Sequence, residues 1–190
     1  MSRQGLRLKK LAASGVICAL SYVLFTFVKI PMPGNASAIH LGNAVCVLGA
    51  LLLGGVYGGF AAALGLTIAE LTSPVFFVYA PTTLVLKFLI GLITGVIAHR
   101  FGKINGLNDT KKVFKWTVAA AACGLGFNMV AAPVVGYFYQ ILILGKATAD
   151  IALSFNIAAS AINAVASVFV AVIVYMAARP GLRRLGFLGD

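Results

Sequence analysis

The sequence predicts an all-α membrane protein, a bundle of six short transmembrane helices with both chain termini on the cytoplasmic side. Of its 190 residues, 61% are hydrophobic and only 10% are charged, whereas a soluble domain carries roughly 25% charged residues. A soluble domain of this size also keeps much of its surface in water, so the apolar residues must face lipid. The apolar run behind the basic N-terminal segment has no clear small-x-small cleavage site, which favours a transmembrane helix over a signal peptide.

Positive charge is concentrated in three short segments, which together account for twelve of the fifteen Lys and Arg residues and most of the net charge of +11. Positive residues beside apolar spans mark the cytoplasmic face of a membrane protein, where anionic lipid headgroups lie. The charge therefore indicates topology, and we expect no nucleic-acid partner. The three segments contain Arg3, Arg7, Lys9 and Lys10; Arg100, Lys103, Lys111, Lys112 and Lys115; and Arg179, Arg183 and Arg184.

Six spans are predicted because a helix needs about 20 apolar residues to cross the hydrocarbon. Four segments have that length directly, but the 31-residue run Leu41–Leu71 is long for one span and short for two. We divide it because four glycines surround Tyr57, and because an even number of spans must separate the first two basic segments. The predicted spans cover residues 11–28, 41–53, 56–71, 81–99, 116–135 and 156–178 of a single integral-membrane domain, residues 1–190.

Three connections are predicted on the non-cytoplasmic side: Lys29–His40, Thr72–Ala80 and roughly Gly136–Phe155. The first contains Pro31, Pro33 and Gly34, so it cannot form a continuous helix. Irregular backbone is not tolerated against lipid, so we expect this segment at the interface or over a cavity of the protein.

Polar side chains within the spans lie at the depth of these connections. Ionisable groups in a span usually face an interior or a cavity. In the last span, Asn and Ser recur at i, i+4, i+7 and i+11 from Asn156 to Ser167, on one helix face. A shared depth beneath a Pro/Gly-rich connection predicts a small-molecule pocket. The candidate ligand-binding residues are His40, Asn43, Glu70, Tyr79, Thr82, Lys87, Asn128, Asn156 and Asn163.

Other interpretations of these residues stay open. Glu70 and Lys87 could form a structural ion pair, and the Asn and Ser residues of the last span could only join helices by hydrogen bonds. No metal site is expected, because no second His or Cys stands near enough to His40 in the sequence to suggest one and no C-x-x-C pair exists. A membrane enzyme usually needs paired carboxylates, and Glu70 is the one acidic residue near a span. A self-sufficient secondary transporter or channel is a further alternative, although the inverted repeats that would favour a transporter are not evident.

Small residues follow one face of the first span, at Ala12, Gly15 and Ala19. Such residues let another helix approach closely. The partner helix could belong to the same bundle, as for Gly91-x-x-x-Gly95, or to a separate membrane subunit.

Several motifs occur in a distinctive order: His40-Leu-Gly-Asn43, a glycine-rich run that ends at Gly59, Tyr79-Ala-Pro-Thr-Thr83, and Lys87 followed by Gly91-Leu-Ile-Thr-Gly95. In these motifs and in its predicted spans the chain resembles the substrate-binding S components of energy-coupling factor (ECF) vitamin transporters. It is most similar to the branch linked to pyridoxine or hydroxymethylpyrimidine, and riboflavin and pantothenate carriers are alternatives. The family's Ala-x-x-x-Ala motif is here Gly15-x-x-x-Ala19.

The resemblance implies a high-affinity capture subunit of an ATP-driven importer in the bacterial cytoplasmic membrane, not an enzyme. It implies partnership with a transmembrane coupling subunit, met by Ala12, Gly15 and Ala19, and with two ABC-type ATPases that use the ATP. We expect no cofactor on this chain, which has no G-x-x-x-x-G-K-[ST] phosphate loop. No arginine lies within a predicted span to hold a carboxylate or phosphate, which favours a hydroxylated heterocycle as ligand.

Overall fold

The computed structural model describes residues 3–32, 37–145, 147, 149–184 and 186, and these form six α-helices with short connections. A small β-hairpin, a 3-10 helix at Phe77–Tyr79 and a π-helical turn at Val96–Phe101 complete the described chain. The helices are α1 (Arg3–Phe27), α2 (Gly42–Leu53), α3 (Gly55–Leu71), α4 (Ala80–Gly95), α5 (Thr110–Leu142) and α6 (Ala149–Arg184); the strands are β1 (Lys29–Pro31) and β2 (Ala38–His40).

The helices have the length and composition of a membrane protein. In α1, α5, α6 and the helical segment Phe77–Phe101 that contains α4, apolar residues extend far enough to cross a bilayer. Helices α2 and α3 are shorter, at 12 and 17 residues, and are also apolar. Large apolar side chains cover the outside of the bundle, as at Phe27, Val130 and Ile173. An apolar surface of this extent is foreign to a soluble monomer, so the predicted helical membrane fold is confirmed.

Two ends of the bundle can be distinguished by their contacts. At one end, the hairpin end, the Tyr139 hydroxyl of α5 donates to the Val78 carbonyl of the 3-10 helix. At the other, the basic end, Arg179 of α6 donates to the carbonyls of Ile104 and Leu107 at 2.9 and 2.7 Å. Lys10 of α1 lies 6.0 Å from the ring of Tyr57, near the start of α3. The start of α1, the α4–α5 connection and the end of α6 therefore share the basic end.

Glycines explain both a break in the chain and the closeness of the helices. Gly54 adopts φ 89°, a conformation open to glycine, and divides the long apolar run into α2 and α3 as predicted. The neighbouring glycines lie inside α3 instead of in the turn. A Cβ at Gly58 would meet the Gly49 carbonyl of α2, and one at Gly59 would meet Gly91 of α4. Glycine is needed at positions 58 and 59 because the helix backbones are in contact there and leave no room for a side chain.

Two of the predicted connections differ in the structure. The long connection over residues 136–155 was wrong, because α5 continues to Leu142 and α6 begins at Ala149. Pro133 lies inside α5; it removes one backbone hydrogen bond, but membrane helices tolerate proline where neighbouring groups compensate. Tyr137 and Gln140, which were predicted to lie in that connection, therefore belong to a helix.

The first connection contains the antiparallel pair β1–β2, in which Ile30 faces Ile39 and Pro31 faces Ala38. A proline is compatible with this position because it ends a strand at the edge of the pair. Pro33 and Gly34, on which the expectation of irregular backbone rested, lie outside the described residues.

The glycine contacts predict a stability difference between two matched substitutions. Gly58→Ala places a methyl group against the α2 backbone, and we expect it to destabilise the protein by about 1–3 kcal/mol through overpacking. Gly126→Ala in α5 is the control, because a Cβ there meets nothing within 4 Å and alanine favours a helix. Thermal unfolding of the detergent-purified proteins checks this; equal melting temperatures for the two variants would contradict it.

Candidate functional site

A polar cavity of about 80 Å³ lies at the hairpin end, between the hairpin and helices α1, α3, α4, α5 and α6. Aromatic rings and buried polar groups share its wall. Two larger hollows on the molecule are more open to the outside and almost wholly apolar, as expected of grooves between lipid-facing helices. The cavity is lined by Phe25, Ser37, Ala38, His40, Glu70, Phe76, Tyr79, Thr82, Thr83, Leu86, Lys87, Ala132, Gly136 and Asn156.

Six of the nine candidate ligand-binding residues lie in this wall. The structure thus brings together side chains that are up to 116 positions apart in the chain, between residues 40 and 156. The other three, Asn43, Asn128 and Asn163, are buried but do not line the cavity. The six are His40, Glu70, Tyr79, Thr82, Lys87 and Asn156.

Glu70, in the last turn of α3, presents a carboxyl group to the cavity. Its side chain is only 6% exposed. Oε1 accepts a hydrogen bond from the Thr83 hydroxyl of α4 at 2.9 Å, whereas Oε2 is buried and has no partner among the described residues. A buried polar atom without a partner is costly, so this oxygen is available to a bound molecule.

Lys87 enters the same cavity from α4. Its Nζ donates to the Asn128 amide oxygen of α5 at 3.4 Å. In the described part of the chain, Lys87 and Glu70 therefore bond neutral side chains and do not form an ion pair with each other. The structural ion pair considered from the sequence is absent from the structure.

Aromatic rings close the cavity toward the hairpin. Phe25, near the end of α1, packs edge-on against His40 and Phe76, with ring centroids 5.0 and 5.8 Å apart. Lys29 of β1 places its ammonium 4.6 Å from the Phe25 ring and 5.1 Å from the Phe76 ring, within the range of a cation–π contact. Phe25 was missed because hydropathy does not distinguish it from the lipid-facing Phe27.

His40 on β2, outside the helices, is held as a neutral imidazole. Burial, and then the nearby charges of Lys87 and Lys29, lower the pKa of His40 to about 3. Its Nδ1 accepts the Gly42 backbone N–H at 3.0 Å, which places the remaining ring proton on Nε2. His40 is therefore a neutral hydrogen-bond donor at the cavity wall.

Asn163 of α6 attaches the hairpin to the bundle. Its Oδ1 accepts the His40 backbone N–H, and its Nδ2 donates to the Ala38 carbonyl, both at 2.9 Å. The amide thus bonds the free edge of β2 as a further strand would. Both of its polar atoms are used by the hairpin, so Asn163 contributes to the site by holding β2 in place.

The polar face of α6 is buried along its length, as the spacing predicted. Toward the cavity, the Asn156 amide donates to the Ala132 carbonyl of α5 at 3.5 Å, and the Ser160 hydroxyl donates to Asn156 Oδ1 at 3.4 Å. A Cβ at Gly136 would lie 2.8 Å from the Asn156 amide nitrogen. The absence of a side chain at Gly136 therefore makes room for Asn156 in the cavity wall.

The small residues of α1 face outward. Ala12, Gly15 and Ala19 are all exposed, and a Cβ at Gly15 would meet none of the described residues within 4 Å. Gly91 and Gly95 of α4 differ, because they pack against the α3 backbone. The small-residue face of α1 is thus unused within the bundle, while that of α4 joins two of its helices.

Comparison with known proteins places the chain in a family. The family profile described as "ECF-type riboflavin transporter, S component" matches residues 5–179. The chain belongs to this family of S components. The family is one of substrate-binding transporter subunits, in agreement with the resemblance seen in the motifs of the chain.

A solved structure of the S component of a bacterial ECF transporter has the same fold. It superimposes with a TM-score of 0.60 over 93% of this chain and 98% of its own, at 20% sequence identity. No curated protein sequence matches the chain. The particular similarity to a pyridoxine or hydroxymethylpyrimidine branch is supported by neither finding.

The two hydrogen bonds of Asn163 to β2 predict that replacing this asparagine loosens the hairpin locally. Asn163→Ala leaves the edge of β2 unbonded, and we expect a loss of about 1–3 kcal/mol in the free energy of unfolding with faster amide hydrogen exchange in residues 29–32 and 37–40. Ser160→Ala, one turn away on the same face, is the control because, in the part of the chain that the structure describes, its hydroxyl bonds Asn156 and not the hairpin. Hydrogen-exchange mass spectrometry checks this, and unchanged exchange over the hairpin in Asn163→Ala would contradict it.

Proposed function

We propose that the chain is the high-affinity capture subunit of an ATP-driven ECF vitamin importer and binds its ligand in the cavity at the hairpin end. The cavity supports this proposal, because it combines aromatic walls, the ammonium of Lys87 and the Glu70 oxygen that has no partner among the described residues. Pockets for small molecules have this mixture of apolar walls and a few placed polar groups. Family membership supports capture by a transporter subunit over a self-sufficient transporter or channel.

The proposed topology has six membrane spans with both termini in the cytoplasm of a bacterial cell. Its support is the concentration of Lys and Arg at the basic end, which is typical of a cytoplasmic face. The hairpin end, with the cavity, then faces outward, where an importer meets its ligand.

We favour a ligand with one aromatic ring, pyridoxine or hydroxymethylpyrimidine, over riboflavin and pantothenate. The cavity of about 80 Å³ is smaller than the roughly 300–1,000 Å³ of pockets for drug-sized ligands, so a single ring suits it better than the three fused rings of riboflavin. Phe25 and Phe76 offer aromatic contacts to such a ring. Riboflavin is the second candidate because the family description names it.

The proposed partners are a transmembrane coupling subunit and two ABC-type ATPases, which bind and hydrolyse the ATP. Exposed Ala12, Gly15 and Ala19 provide a surface on which a helix of the coupling subunit can pack closely. Because the bundle does not use these residues, contact with a partner does not require the helices to separate.

Isothermal titration calorimetry of detergent-purified protein tests the capture function. Co-purified ligand is first removed by partial unfolding and refolding, and the panel contains pyridoxine, hydroxymethylpyrimidine, thiamin, riboflavin and pantothenate. We expect one tight, saturable response to a one-ring compound. A response to riboflavin would establish the second candidate, and no response to any compound would contradict the proposal.

The ligand-binding cavity and the small-residue face of α1 predict different defects: loss of binding for the cavity and loss of coupled uptake for α1. Gly15→Leu places a bulky side chain on the exposed face of α1, so we expect vitamin uptake by cells to fall at least tenfold while affinity in detergent stays unchanged. Val16→Leu is the control, since it enlarges a neighbouring residue that is already 67% exposed. Normal uptake by the Gly15→Leu variant, or an equal loss in both variants, would argue against this partner surface.

A further inference from the structure

Two ionisable side chains of opposite charge enter one cavity from neighbouring helices and leave each other unpaired. Glu70 comes from α3 and Lys87 from α4, and both line the cavity at the hairpin end. Charged groups at membrane depth are costly unless they are paired or functional. The chain nevertheless gives each of them a neutral partner, Thr83 and Asn128.

The carboxyl group has one open position. Thr83 occupies Oε1 of Glu70, and Oε2 is buried with no partner among the residues that the structure describes. An ionised carboxylate only accepts hydrogen bonds. A molecule that completes this site with Glu70 in its ionised form offers a donor to Oε2, and a positively charged N–H donor gives the strongest bond.

The ammonium group also has unused capacity. Lys87 has three N–H donors, and among the described residues its Nζ donates one bond, to Asn128, which is long at 3.4 Å. An acceptor with negative charge complements this group best. His40 stands at the same wall as a neutral donor and adds no competing charge.

We propose that the site selects a bipolar ligand, a single heteroaromatic ring that presents a protonated ring nitrogen to Glu70 and an ionised ring hydroxyl to Lys87. The inference rests on the proposed capture function and narrows its ligand class. A ring of this kind carries both charges and no net charge, so the filled cavity contains two neutralised pairs. The ligand ring also contacts the aromatic rings of Phe25 and Phe76 in the cavity wall.

The requirement for both a protonated ring nitrogen and an ionised ring hydroxyl distinguishes the candidate ligands. Pyridoxine, a 3-hydroxypyridine, carries both groups on one ring. Hydroxymethylpyrimidine has an amino group for Glu70 but no acidic ring hydroxyl for Lys87. Pantothenate has a carboxylate for Lys87 but no basic nitrogen, and its negative charge would lie near Glu70. Riboflavin has no basic ring nitrogen that is protonated at neutral pH.

The test removes the ring hydroxyl or the ring nitrogen from the ligand and measures affinity by calorimetry on the wild-type protein. The probes are pyridoxine, its 3-deoxy counterpart, and its benzene counterpart in which C–H replaces the ring nitrogen. We expect each deletion to weaken binding by roughly 10- to 150-fold, as for the loss of a charge-assisted hydrogen bond. Equal affinity of either counterpart and pyridoxine would overturn the inference.

Two variants then assign the groups. In Lys87→Met we expect removal of the ring hydroxyl to weaken binding less than it does in the wild type, and in Glu70→Gln we expect the same for removal of the ring nitrogen. Each variant should keep its sensitivity to the other deletion. Comparing the effect of one ligand deletion in the wild type and in the variant measures the coupling between a side chain and a ligand group. If a variant does not fold, which thermal unfolding reveals, the wild-type series still decides.

The outcomes distinguish this inference from the proposed function. Tight binding of riboflavin or hydroxymethylpyrimidine with weaker binding of pyridoxine overturns the bipolar class and leaves the capture function standing. An absence of binding by every compound in the vitamin panel overturns both.

Discussion

The rest of the structure depends on backbone contact between helices through glycine. Gly58 meets α2 and Gly59 meets α4, so three helices are held together where no side chain intervenes. Toward the hairpin end, beyond these contacts, α3 and α4 carry polar side chains on their facing sides, among them Glu70 and Thr83, which bond each other. The close contact therefore sets the spacing at which a carboxyl group and an ammonium group reach the same cavity.

The first connection forms one side of the cavity and is attached to two different parts of the bundle. Asn163 bonds the edge of β2, and Lys29 of β1 lies over the rings of Phe25 and Phe76. The hairpin has only three residues in each strand, and an isolated two-stranded hairpin is marginally stable. The position of the hairpin thus depends on α1 and α6. The geometry of the site is therefore set by contacts within the protein, which form without a bound molecule.

The helices and most of the site could be predicted from the sequence because a membrane makes polar and flexible residues conspicuous. Glu70, Lys87 and Asn156 stand out in apolar segments, and Gly54 marks the break between α2 and α3. The ends of α5 and α6 could not be predicted, since the helices continue where hydropathy falls. The hydrogen bond between Asn163 and His40 joins residues 123 positions apart, so the same asparagine can be read as a ligand contact or as support for a strand until the packing is known.

Small-residue motifs show why packing decides function here. Gly91-x-x-x-Gly95 is buried against α3, whereas Gly15-x-x-x-Ala19 has the same chemistry and faces outward. The outward face belongs to the helix that also supplies Phe25 to the cavity, and ten residues of helix separate Gly15 from Phe25 by about 15 Å. A ligand that contacts Phe25 therefore acts on the helix that carries the proposed partner surface. The ligand site and that surface are distinct, and α1 is the element that connects them.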